Sequence, residues 1–411
     1  MQRRQFLKVI GGAAIAGRLG FAGQAEKKRI MTSAEYLRSL MPTRQQVTDF
    51  IRREQGPDKL SKNDGWTFDA DLGWVLCDAV RGRSVDGSKG FYSYEKDGAR
   101  KVVNFRDRKC RIHTYGNSFT HCDQVSDSET WQEYLAGHLQ EPIRNYGVGG
   151  YGVYQAYLRM LKVEKESSAE YIILNIWDDD HYRNLDSWRS IRFGRRTCCG
   201  FTLPYLKVNV AANECRQMPN VCQTAEDVYK LCDEAFVFET FKDDPVLQMV
   251  MAARGNKDRM GELAKPVAVS FGIPDELIAD TASTRKIRKA HTEAALFATK
   301  NIVTWAEQFV QRTGKKLMLM LSFNEGSVVE ALMGRKGFDK SFTDWLKDKP
   351  YPVIDMRDAF VEEYKQSNLR PYKFMKKYYI GHHNPAGNFF SAWAIKDKLV
   401  EWLEPKPAPY L

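Results

Sequence analysis

The chain of 411 residues lacks several features that would assign it to a specialised class. No concentrated basic block occurs, because lysines and glutamates are interspersed, and so a nucleic-acid partner is not expected. No Cys-x-x-Cys pair occurs among the eight cysteines, and no histidine lies among the five from Cys198 to Cys232, which argues against a zinc site there. There is no internal repeat, and no low-complexity tract apart from the proline-rich end Glu404–Leu411. What is present is ordinary for a globular protein: 43% hydrophobic and 28% charged residues, in a chain long enough for a large core.

The N-terminus carries an address. Met1–Ala25 has Arg3, Arg4, Lys8 and Arg18 and no acids, with an apolar run from Val9 to Ala16 and small residues near Ala22–Ala25. The arginine pair followed by Phe6-Leu7-Lys8 resembles a twin-arginine export signal, and predicts a mature protein outside the cytoplasm. The run is too short, and too soon broken by Arg18, to remain as a membrane span. Loss of these four cations would lower the formal charge from +10 to +6. An even number of cysteines suits an oxidising compartment. Disulfides are expected within Cys198–Cys232, with the pairing open.

Periodicity divides the remainder. Residues 26–106 read as an N-terminal extension, with helical spacing over Ser33–Gln55 and an edge strand over Val102–Arg106. Residues 107–403 read as the main domain and 404–411 as a tail. The main domain begins with a β-type run, Arg111–Tyr115, a turn at Gly116-Asn117-Ser118, a helix around Trp131–Leu139 and a second β-type run, Ile143–Tyr146. Further strands are expected at Ala169–Trp177, Lys316–Phe323 and Pro352–Met356, and helices at Gly152–Leu161, Thr292–Arg312 and Ala386–Leu403. The apolar run Ala169–Trp177 suits a parallel strand buried on both faces. Residues 184–288, with the cysteine cluster and helical pieces at Ala225–Phe238 and Val246–Arg254, read as an insertion. Alternating strands and helices predict an α/β fold: a three-layer α/β/α sandwich on a mostly parallel five-stranded sheet.

Polar residues gather where such sheets place their sites, at strand ends. They are Ser118, the Gly147–Gly150 turn, Asp178–Asp180, and His382 before the last helix. A serine needs a base to take its proton and donors aimed at the developing oxyanion, and these positions supply both residue types.

The same residues resemble the SGNH (GDSL-like) hydrolase superfamily over roughly Asp69–Leu403. Gly116-Asn117-Ser118-Phe119-Thr120 is similar to its nucleophile block, and Asn145 through Gly152 to its second block. Asp178-Asp179-Asp180 falls at the third, and His382 through Gly387 (HHNPAG) is similar to the last. The resemblance implies a flavodoxin-like strand order, Ser118 as nucleophile and His382 as general base, chosen over His383 by its spacing to Gly387. It implies an oxyanion hole from Ser118, Gly150 and the residue at position 179. Two positions depart from the pattern. Asp179 stands where the family has asparagine, and Tyr379 where it has the triad aspartate, which leaves Asp355 and Asp358 as candidate acids. The activity implied is hydrolysis of an ester, an O-acetyl carbohydrate above all, through an acyl-enzyme and without a cofactor.

Two other readings stand beside it. One is a weakly active or inactive SGNH-like protein that binds carbohydrate. The other is a metal-dependent hydrolase built on Asp178–Asp180 and His181, although Arg183, Arg189 and Arg192 are near enough to pair with those carboxylates. Trp74, Trp177, Tyr182 and Trp188 are candidates for stacking on sugar rings. His121 and Asp123 either line the pocket or serve the loop that carries them. The expected partner is a small-molecule or polysaccharide ester, with no nucleic acid and no integral membrane segment. The oligomeric state is open.

Overall fold

A computed structural model describes residues 31–52, 66–81, 90–194, 201–255 and 260–411. The signal-like segment Met1–Ala25, and Cys198 and Cys199, lie outside the described residues.

Five parallel strands form the central sheet: Ile112–Tyr115, Ile143–Asn145, Tyr171–Trp177, Lys316–Ser322 and Val353–Asp355. Numbered in chain order, they lie as second, first, third, fourth, fifth. This is the flavodoxin-like order. The third strand is buried from Tyr171 through Ile176, as its unbroken apolar run requires. Helices cover both faces. Trp131–Leu139 packs with Pro385–Trp402, and Val153–Glu164 packs with Ser283–Thr313. Right-handed crossovers place the first pair on one face and the second on the other, which gives three layers. The strand order reverses between the first and third strands, so the crevice lies beyond their C-terminal ends. Ser118 follows one of these ends and Asp178 the other. Among the described residues no helix is long and apolar enough to cross a membrane.

Several expected elements differ in detail. The helix predicted from Ser33 is two helices, Ser33–Leu40 and Arg44–Arg52, divided at Met41-Pro42-Thr43 because proline lacks the N–H needed to continue. The expected edge strand Val102–Arg106 does not form. The Val103 and Asn104 amides instead donate to the Glu133 carboxylate at 3.0 and 2.8 Å, so a helix side chain stands where a neighbouring strand would be. The predicted helix Ala225–Phe238 is split into a 3-10 segment, Glu226–Cys232, and a helix, Glu234–Phe241. Asp233 separates them and caps the second through Phe236 N. The predicted helix Thr292–Arg312 begins earlier, at Ser283, so the last residues of the 184–288 segment belong to a helix of the main layer.

The expected cysteine staple is not made between the described cysteines Cys215 and Cys222, which are free thiols, as are Cys110 and Cys122. Ordinary packing joins the segments instead. Tyr36 donates to the Ile191 carbonyl at 2.6 Å, and the Phe50 and Phe201 rings stack at 4.1 Å. The extension is thereby seated on the insertion.

Candidate active site

Gly116 ends the first strand, and a four-residue helix, Ser118–His121, begins at once. Asn117 caps that helix: its Oδ1 accepts from Phe119 N at 2.8 Å, while its Nδ2 donates to Asp180 Oδ1 at 2.8 Å. Because Asn117 does the capping, the Ser118 hydroxyl is available for other work. It lies 2.8 Å from His382 Nε2. The second strand exits directly beneath the turn. A Cβ on Gly147 would come within 2.3 Å of the His121 amide nitrogen, so only glycine permits this approach.

The loop that follows Ser118 is then clamped. Arg100, from the extension, donates to the carbonyls of His121, Cys122 and Val125 at 2.5, 3.0 and 2.6 Å, and its Nε meets Asp127 at 2.9 Å. Beside Ser118, His121 sits between Asp123 Oδ1 at 2.5 Å and the Tyr94 hydroxyl at 2.6 Å. It is wholly buried and serves the loop. Burial pushes the Cys122 thiol up to about 12, which leaves it inert as a nucleophile.

His382 is held from its other side. Its backbone N–H donates to Gln124 Oε1 at 2.9 Å, and its Nδ1 faces the same oxygen at 3.3 Å. A backbone N–H can only donate, so the atom it meets is the amide oxygen. Nδ1, facing an oxygen, therefore carries the ring proton, and Nε2 is left as the acceptor for Ser118. His383 is different. It is buried, with its ring 5.1 Å from that of Phe119 and 4.6 Å from that of Tyr379. Burial, with the neighbouring charge of His382, pushes it down to about 3, so it stays neutral.

The acids named from the sequence are elsewhere. Asp355 caps the helix Met356–Tyr364 and binds Arg357, whose guanidinium also bridges to Asp339 at 2.7 and 3.0 Å. Asp358 is exposed on the first turn of that helix. Tyr379 is buried and donates its hydroxyl to the Phe323 carbonyl at 2.9 Å, tying the histidine loop to the end of the fourth strand.

The glycine turn has its carbonyls fixed one after another. Gly149 O accepts from Trp74 Nε1 at 3.1 Å, Gly150 O from Arg189 at 2.6 Å, and Tyr151 O from Arg183 at 2.9 Å. In a trans peptide the C=O and N–H point in opposite directions, so Trp74 orients the Gly150 N–H away from itself. Gly150 has φ +84°, the left-handed region that glycine adopts without strain. The Ser118 N–H stands in the first turn of its helix, where no intrahelical acceptor exists. The Gly150 and Ser118 N–H groups are the backbone members of the oxyanion set expected from the sequence; Asp179, its third member, is engaged elsewhere. It is bound by Arg183 at 2.9 Å and by Arg192 at 2.8 and 3.0 Å. Burial alone would raise its pKa, but the two guanidiniums hold it well below the carboxylate range. An ionised carboxylate has no proton to donate.

The flanking carboxylates also point away from one another. Asp178 accepts from Ser327 Oγ at 2.7 Å, and Asp180 from Asn117, from Trp177 N at 3.1 Å and from Arg183 at 3.1 Å. Burial pushes both up to about 7. His181 bonds Thr299 at 2.8 Å, and burial lowers it to about 4. Asp179 and Asp180 share Arg183, while Asp178 and His181 bond Ser327 and Thr299. No group of three or more potential metal ligands occurs among the described residues. Of the candidate sugar platforms, Trp74 and Trp188 are fully buried, and Trp177 is packed between Phe119 at 5.2 Å and Arg183 at 4.8 Å. Tyr182 is occupied by Phe338 and Thr292.

Sequence reasoning missed Gln124, Arg100 and the role of Trp74. Gln124 follows directly on Asp123 in the loop after Ser118, and the nearness of that pair to Ser118 was the one available signal. A cavity of about 950 Å³ is lined by Cys110, His113, Tyr146, Arg159 and others, but by none of Ser118, Gly150 and His382. Comparison of the chain with protein-family models and with curated proteins gives no match.

Proposed function

We propose that the protein is an exported serine esterase of the SGNH type, acting on an O-acyl, above all O-acetyl, carbohydrate. One observation carries the reading: Ser118 Oγ lies 2.8 Å from His382 Nε2, at the switch point of the sheet. The Gly150 and Ser118 amides support it as a backbone pair for an oxyanion.

Ser118 Oγ attacks the ester carbonyl as its proton passes to His382 Nε2. The charge that develops on the carbonyl oxygen falls to the two backbone N–H groups. Collapse of the tetrahedral adduct breaks the carbon–alkoxy bond, and Nε2 returns its proton to the departing alcohol. Water then attacks the acyl-Ser118 ester, giving its proton to Nε2, and the acid leaves with Oγ reprotonated. No cofactor enters the sequence. The carbohydrate rests on the family resemblance, and export on the Arg3-Arg4 segment.

The test uses the mature protein with p-nitrophenyl acetate and acetylated xylan. Ser118→Ala is expected to lower kcat by about 10⁴-fold or more. Equal turnover by the wild type and Ser118→Ala would end the serine mechanism. Polysaccharide binding without turnover would favour a binding protein instead.

A further inference from the structure

We infer that Gln124 is the positioning residue for His382: a neutral amide orients the base where serine hydrolases use a carboxylate. The inference rests on the esterase reading above. The geometry is bidentate on one oxygen, with Gln124 Oε1 taking the His382 backbone N–H at 2.9 Å and facing Nδ1 at 3.3 Å. Both contacts require the same amide orientation, so the side chain selects one tautomer of the ring as an aspartate would.

Gln124 is itself held. Its N–H donates to the Tyr92 hydroxyl at 2.7 Å, and its backbone has φ +77°. The Arg100 contacts to the carbonyls of His121, Cys122 and Val125 fix the loop on both sides of it. The adjacent carboxylate, Asp123, has Oδ1 on His121 at 2.5 Å. Of the two consecutive residues, the amide oxygen meets the base, and Oδ1 of the acid meets a structural histidine.

The chemical consequence concerns charge. When Oγ attacks, the ring becomes an imidazolium. An aspartate would both orient it and stabilise that charge. Gln124 orients it and adds no countercharge.

The experiment compares wild type, Gln124→Met and Gln124→Glu, which are close in size, on p-nitrophenyl acetate over pH 5–9. Gln124→Met is expected to lower kcat about 10- to 100-fold with KM little changed, because the tautomer lock is lost. Gln124→Glu is expected to restore much of that kcat and to move the acid limb of kcat/KM upward by about 1 pH unit or more, since an adjacent carboxylate favours the charged ring. Wild-type kcat in Gln124→Met, or an unmoved acid limb in Gln124→Glu, would overturn the inference. Labelling with a fluorophosphonate probe separates the two levels. If the wild type is labelled at Ser118 and the Gln124 variants behave as wild type, this inference alone fails. If Ser118→Ala hydrolyses as the wild type does and labelling is absent, the esterase reading fails as well.

Discussion

After the first strand, Ser118 and Gln124 hold their polar groups toward His382; after the third, Asp178, Asp179 and Asp180 turn theirs into the protein. The two strand ends flank the same crevice and are equally rich in polar residues. They differ in what the rest of the chain supplies to them. At the first, Asn117 and Arg100 occupy the backbone groups and leave the side chains at positions 118 and 124 to meet the histidine. At the third, Arg183 and Arg192 take up Asp179, Asn324 and Ser327 take up Asp178, and Asn117 takes up Asp180. A strand-end residue is open to chemistry when its own neighbours have not already satisfied it. Of these carboxylates Asp180 is scaffold for the serine turn at the first end, through Asn117.

That contrast is sharpened first by Asp179→Asn. It removes the carboxylate that Arg183 and Arg192 share, leaving Arg183 with Asp180 and Arg192 with Asp186, and is expected to cost about 2–3 kcal/mol of stability, read as a lowered urea midpoint. Ser118→Ala should leave the midpoint unchanged while removing activity. If Asp179→Asn left stability intact and Ser118→Ala lowered it, the assignment of scaffold and chemistry to the two ends would be reversed.

A smaller effect separates the two neighbouring histidines. Burial holds His383 at about 3 in the folded chain, below its ordinary value. The unfolded chain therefore takes up more protons as the pH falls below about 6.5. The stability tied to neutral His383 is present above about 6.5 and is lost on acidification towards 3. His383→Phe removes this loss. Its advantage over the wild type should be about 2 kcal/mol larger at pH 5.0 than at pH 7.5, measured by urea unfolding at both. A constant difference across that range would show that His383 titrates normally.

The smallest expected effect lies at the glycine turn. Trp74→Phe keeps the ring against Trp66, whose centroid is 5.2 Å away, and deletes the donor to Gly149 O. Loss of about 1 kcal/mol of orientation should appear as a fall in kcat of several-fold with KM steady. An unchanged kcat would mean that Arg189 and Arg183 suffice to set the turn.

The sheet was legible in the sequence because its signals are local. The apolar run of the third strand, the glycine turns and the 3.6-residue periodicity of the flanking helices each depend on near neighbours. Ser118, Gly150 and His382 were legible as types at strand ends. Gln124 was not, because nothing in the sequence relates it to a residue 258 positions away. Asp179 misled through its alignment with a family asparagine, while the arginines four and thirteen residues on, named from the sequence as near enough to pair with it, are its partners. Tyr379 read as a missing acid, whereas its hydroxyl anchors the histidine loop to Phe323. Helix ends shifted where a single residue decided them, at Pro42 and Asp233.

The three pinned carbonyls of Gly149, Gly150 and Tyr151 also bear on the order of folding. Their donors stand 75, 39 and 32 residues away in the chain, on Trp74, Arg189 and Arg183. Contacts of that span close late, after the local helices and turns have formed. Ser118 and its helix can therefore exist in a chain whose glycine turn is still unset. On refolding, the far-UV signal of the sheet and helices should return before the proposed esterase activity does, and the delay should lengthen in Trp74→Phe.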